Sequence, residues 1–84
     1  MNIDLKGKRV IVTGASRGIG RAIATAFAND GAKVAICSRN FADIAKVGEA
    51  LAERADAVIA RAVDVTDSHN VRTFVAEVAE AWGG

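Results

Sequence analysis

The sequence predicts an α/β architecture, a parallel sheet of three strands connected by right-handed crossover helices in the succession βαβαβα. Two observations carry this. Short apolar runs rich in β-branched residues alternate with longer segments whose apolar residues recur at steps of three and four. The chain of 84 residues also contains no proline, so glycines and caps supply the punctuation.

Lys8 to Thr13 contains Val10-Ile11-Val12 and is stopped by Gly14, which predicts a first strand buried on both faces. From Gly18 the period changes. Ile19, Ala22, Ile23, Ala26 and Phe27 fall on one helical face, and Asn29-Asp30-Gly31 supplies the stop. Lys33 to Ser38 repeats the strand signal with Val34-Ala35-Ile36-Cys37. Phe41 to Arg54 then gives a second helix with Phe41, Ile44, Val47, Gly48 and Leu51 on a shared face, weakened by Gly48. Ala57 to Val65 forms a third, less continuous apolar run. After the capping candidates Thr66, Asp67 and Ser68 comes a third helix, with Val71, Phe74, Val75, Val78 and Trp82 at helical spacing.

Composition narrows the function classes. Hydrophobic residues make up 51% of the chain and charged residues 25%, which excludes disorder, and a net charge of +1 provides no field for nucleic acid. A domain of this size buries about 60 to 65% of the surface of its unfolded chain, so one core of marginal stability is expected. The single cysteine, Cys37, lies in an apolar strand and reads as a buried reduced thiol, suited to a cytoplasmic protein. The lead-in Met1-Asn2-Ile3-Asp4-Leu5-Lys6 has no apolar region of a signal peptide, and no apolar stretch approaches the roughly 20 residues that span a bilayer. A soluble, unsecreted protein is expected.

The chemistry points to the turn Thr13-Gly14-Ala15-Ser16-Arg17-Gly18-Ile19-Gly20 between the first strand and first helix. A glycine at a strand end can take positive φ, a second lets backbone approach a diphosphate, and a third lets the helix pack close to the sheet. Unpaired amides of the first helical turn then face the anion. A P-loop is excluded, because no glycine here is followed by Lys and Ser or Thr. The bland alternative is a tight strand-to-helix turn and nothing more.

The spacing G-x-x-x-G-x-G, preceded by Thr13 and holding Ile19 between its last glycines, resembles the nucleotide-binding signature of the short-chain dehydrogenase/reductase family. The resemblance runs from the Leu5-Lys6-Gly7-Lys8 lead-in through the third helix. It implies part of an NAD(P)-binding Rossmann fold, residues 1–84 forming one partial domain with strand order 3-2-1. The wording of residues 12–20 is similar to that of ketoacyl-carrier-protein reductases and related carbonyl reductases.

A dinucleotide fold aims the end of its second strand at the adenosine ribose, where a carboxylate would take the 2′-hydroxyl. Here stands Ser38-Arg39-Asn40. A guanidinium favours a 2′-phosphate through charge-assisted hydrogen bonds, so NADP(H) is expected, with Arg17 reaching the same phosphate from the glycine turn. The alternative is that both are solvated loop arginines. The resemblance makes Asp64-Val65 the adenine contact, the carboxylate taking the exocyclic amine, whereas the bland reading has Asp64 share capping with Thr66 and Asp67. The expected cofactor-binding set is therefore Gly14, Ser16, Arg17, Gly18, Ile19, Gly20, Ser38, Arg39, Asn40, Asp64 and Val65. His69 has no companion at ligand spacing and reads as a surface histidine, so no metal is expected.

Relatives in this family transfer hydride with a serine, a tyrosine and a lysine one helical turn beyond it. This sequence has no tyrosine, so no catalytic residue is expected in it and the chain alone is expected to be inactive. In the doubly wound order a fourth strand covers the first, so without one Val10-Ile11-Val12 becomes an apolar edge. Self-association or a completing partner at that edge is expected, and a non-catalytic assembly module is the competing function.

Overall fold

A computed structural model describes residues 8–15 and 18–83. It contains β1 (Arg9–Thr13), α1 (Gly18–Asn29), β2 (Lys33–Ser38), α2 (Phe41–Ala52), β3 (Ala57–Ala62) and α3 (Ser68–Trp82). The strands form one parallel sheet in the order β1-β2-β3, the 3-2-1 arrangement expected, with Val12 opposite Ile36 and Ile36 opposite Ala60. β3 stops at Ala62 rather than at Val65, although Val63 still donates its N–H to the carbonyl of Ser38 at 2.9 Å.

Alternation along the strands divides the core in two. Val12, Val34 and Ile36 point toward α1 and α2, and pack with Ala24, Ala28, Ile44, Val47 and Leu51. Ala35 and Cys37 point the other way, against Val63 and the α3 residues Phe74 and Val78. The Cys37 thiol is buried, and desolvation there raises its pKa.

Four expectations about faces are corrected. β1 is not buried on both faces: Val12 is buried, but Ile11 is 41% exposed. β1 is a sheet edge, and the second core is drawn from β2, β3 and α3, leaving Ile11 uncovered among the described residues. In α1 the buried residues are Ala24 and Ala28 with Phe27 partly covered, whereas Ile19 is 79% exposed and Ile23 43%. The small residues Gly20, Ala24 and Ala28 recur at steps of four, and that narrow stripe lets the helix sit close to the strands, which turns the isoleucines away. Phe41 lies outside the α2 face, beside Ala45, Val58 and Ala60 at the outer margin of the sheet, and is exposed. Val75 of α3 is also exposed.

Gly48, read from sequence as a weak point, has a packing reason. A Cβ there would stand 3.0 Å from the Ala60 Cβ, so its absence sets the approach of α2 to β3. Of the three capping candidates, Asp67 is the N-cap of α3, its Oδ1 accepting from the amides of His69 and Asn70. At the other end of α3, Arg9 Nη1 of β1 donates to the carbonyl of Trp82 at 3.2 Å.

Candidate nucleotide site

The parallel register brings the C-terminal ends of all three strands to one side of the sheet, and the loops that follow them meet there. After β1 the chain turns through Gly14, with φ of 62°, and re-enters a helix at Gly18, with φ of 65°. Both values lie in the left-handed region that a side chain disfavours. Ala15 is fully buried and its N–H reaches the Cys37 carbonyl at 3.2 Å, which ties the turn to the end of β2. A Cβ added to Gly20 would overlap the Gly14 carbonyl oxygen. The first turn of α1 is therefore pressed onto the strand end, while among the described residues, chain neighbours aside, no atom lies within 4 Å of where a Cβ would stand on Gly14 or Gly18. That arrangement leaves room for a ligand against backbone at a helix N-terminus. Ser16 and Arg17 lie outside the described residues.

A cleft of about 370 Å³ opens between the loops after β2 and β3, lined by Gly14, Ser38, Arg39, Asn40, Asp43, Val63 and Val65. It gathers five of the expected residues, Gly14, Ser38, Arg39, Asn40 and Val65. Gly18, Ile19 and Gly20 belong to the adjoining turn rather than the cleft wall, and Asp64 connects to the wall through Arg39. Asp43 and Val63 were not singled out in the sequence. The signal for Asp43 was its position three residues after Asn40, the spacing of a helix cap, and Val63 was hidden inside an apolar run.

Within Ser38-Arg39-Asn40 the roles separate. Ser38 is 8% exposed and its hydroxyl donates to the Asn40 carbonyl at 3.1 Å, so it braces the turn. Asn40 is the N-cap of α2, its Oδ1 accepting from the Asp43 amide at 3.1 Å. Arg39 alone of the three presents an exposed charge at the cleft, its side chain 77% accessible.

Asp64 is held by its own turn. Its Oδ1 accepts from the Thr66 N–H at 3.0 Å and from the Thr66 hydroxyl at 2.6 Å, and Arg39 Nη2 lies 3.9 Å from the same oxygen. The Thr66 hydroxyl and then the Thr66 amide favour the carboxylate and lower the Asp64 pKa against an opposing desolvation, and the Arg39 charge adds the least of these effects. Asp64 therefore does not cap α3, where Asp67 does so. His69 is exposed in the first turn of α3. Among the described residues no group of three His, Cys, Asp or Glu could hold a metal ion, and no helix is long and apolar enough to cross a membrane.

The short chain dehydrogenase family matches residues 8–84. A sorbitol dehydrogenase of Cereibacter sphaeroides is 42% identical over 79 residues, covering 94% of this chain and 30% of the relative. Among solved structures, the L-sorbose reductase of Gluconobacter frateurii, complexed with NADPH and L-sorbose, superposes with a TM-score of 0.88 at 34% identity, over 98% of this chain and 32% of that one. A short chain dehydrogenase/reductase of Burkholderia phymatum in complex with NAD gives a TM-score of 0.88 at 30% identity, over 98% of this chain and 29% of the other. The chain thus spans about a third of the length of these relatives.

Proposed function

Since the chain belongs to the short chain dehydrogenase family, we propose that it is the coenzyme-binding portion of an oxidoreductase that interconverts a carbonyl and an alcohol, and that its coenzyme is NADP(H). The observation that carries the reading is the exposed Arg39 guanidinium at a cleft that adjoins the glycine turn, with no carboxylate at positions 38–40. The fold alone does not choose the coenzyme, because similar structures hold NADPH or NAD.

The residues fit the group. Open space at Gly14 and Gly18 beside the α1 N-terminus suits a diphosphate, with Ser16, Arg17, Ile19 and Gly20 completing that turn. Arg39 and Arg17 would hold the 2′-phosphate, Ser38 and Asn40 would shape the ribose turn, and Asp64 and Val65 would take the adenine. When bound, the coenzyme supplies or accepts hydride. This chain's own part is to bind and orient it; with no tyrosine in the sequence, the proton transfer belongs to residues outside these 84. The buried free thiol of Cys37 supports a reducing, cytoplasmic setting.

Calorimetric titration with NADPH and NADH tests this. Tighter binding of NADPH, with the preference lost or reversed in Arg39→Asp, is expected; a folded chain that binds neither nucleotide would overturn the reading.

A second reading rests on the β1 edge. Among the described residues β1 pairs only with β2, and Ile11 is exposed beside Val10 and Val12, which supports self-association or a completing partner there. Sedimentation should show an oligomer that Ile11→Lys shifts toward monomer; a monomeric parent chain would remove this reading.

A further inference from the structure

Arg39 lines the cleft on the loop after β2, between Ser38 and Asn40, and Asp64 lies on the loop after β3 between the lining residues Val63 and Val65. Their 3.9 Å ion pair joins the loop after β3 to the loop after β2 beside the cleft. Thr66 fixes the orientation of the carboxylate with two hydrogen bonds to Oδ1, the oxygen that faces Arg39. Among the described residues the guanidinium is the exposed cation of this wall, and an anion that approaches it meets the Asp64 carboxylate 3.9 Å away.

We propose that Asp64 sets how strongly the site discriminates for a 2′-phosphate: by holding Arg39, its carboxylate competes with the phosphate for the same guanidinium. This inference rests on the NADP(H) reading above. A ligand with a free 2′-hydroxyl leaves the pair intact, whereas a 2′-phosphate must draw Arg39 away from Asp64 or share it and accept the nearby negative charge. The preference produced by Arg39 is accordingly smaller than an unrestrained arginine would give. Coenzyme selectivity becomes a property of the pair, tunable from the carboxylate side.

The change Asp64→Asn isolates the effect, because an amide oxygen can still accept both hydrogen bonds from Thr66 while the charge is removed. Adenosine 2′,5′-bisphosphate and adenosine 5′-monophosphate are the probes, and the quantity read is the ratio of their dissociation constants. Any weakening of adenine binding in the variant affects both probes and cancels in that ratio. The parent chain should prefer the bisphosphate, and Asp64→Asn should raise the preference about two- to fivefold, the range of an exposed ion pair. The gain should vanish in an Arg39→Gln background. An unchanged or smaller ratio in Asp64→Asn overturns the proposal, as does a gain that persists without Arg39, since that would be charge repulsion alone. A parent chain that binds both probes equally, or neither, overturns the NADP(H) reading and this inference with it. Far-ultraviolet circular dichroism of each variant separates loss of fold from loss of selectivity.

Discussion

The two faces of the sheet are built to different standards. On the first, two helices cover the strands, and Ala24, Ala28, Val34, Ile36 and Ile44 are completely inaccessible. On the second, one described helix packs against β2 and β3, its own buried residues Phe74 and Val78 keep a few per cent of exposure, and Ile11 is left open. The first face is where small residues replace large ones where elements meet, with Gly20, Ala24 and Ala28 on α1 and Gly48 on α2. Close approach excludes water there more completely than bulk does on the other side. The difference teaches that the glycine turn serves two purposes, since the residue that allows α1 to dock also shapes the backbone that faces the cleft.

The sharpest way to break this contrast is Gly20→Val. Its Cβ would overlap the Gly14 carbonyl, so α1 must lift from β1; a loss of about 3 kcal/mol in urea unfolding is expected, together with loss of nucleotide binding. A variant that kept the parent midpoint would show that the first face does not depend on that close approach.

A matched pair of truncations measures the two faces directly. Val34→Ala removes a fully buried side chain from the central strand on the first face and should cost about 3 kcal/mol. Val78→Ala on α3, 5% exposed and beside a less complete layer, should cost about 1.5 kcal/mol, because that face can settle around the gap. Equal losses by chemical denaturation would erase the asymmetry.

The smallest effect concerns the cleft itself. The Asp64 carboxyl is held below its ordinary 3.8 by Thr66 and then by Arg39. A depressed folded-state pKa stabilises the native chain above the unfolded value, and that contribution disappears as pH falls through the folded value. Carbon-13 NMR should therefore find the Asp64 midpoint below 3.8, and Thr66→Val, which removes the hydroxyl donor, should raise it. A midpoint unmoved by Thr66→Val would show that the turn does not hold the carboxylate.

Much of this was legible in the sequence, and the misreadings share a cause. The strand order came with the family resemblance, while the succession of strands and helices and the end of α1 followed from the change of hydrophobic period and from the stop at Asn29-Asp30-Gly31. Periodicity located the helices but not their rotation: in α1 the isoleucine stripe adjoins the alanine stripe, and hydrophobicity alone favours the wrong one. Which stripe is buried depends on how near the helix can come, and that is fixed by the approach of Gly20 to Gly14, a tertiary fact. The same holds at the cleft. Ser38-Arg39-Asn40 could be located because it ends a strand, but only the fold shows that Ser38 and Asn40 are occupied by the turn and that Asp64 reaches across to Arg39.

The place of β2 in the sheet has a consequence for how the molecule opens. β2 is the common partner of both edge strands, and because successive N–H groups along a strand point to opposite sides, a fluctuation that releases β1 frees the alternate β2 amides that faced it and leaves the others bonded to β3. Partial openings thus expose one flank at a time, and exchange of the β2 amides with solvent divides into two interleaved sets, one reporting the release of β1 and the other the release of β3.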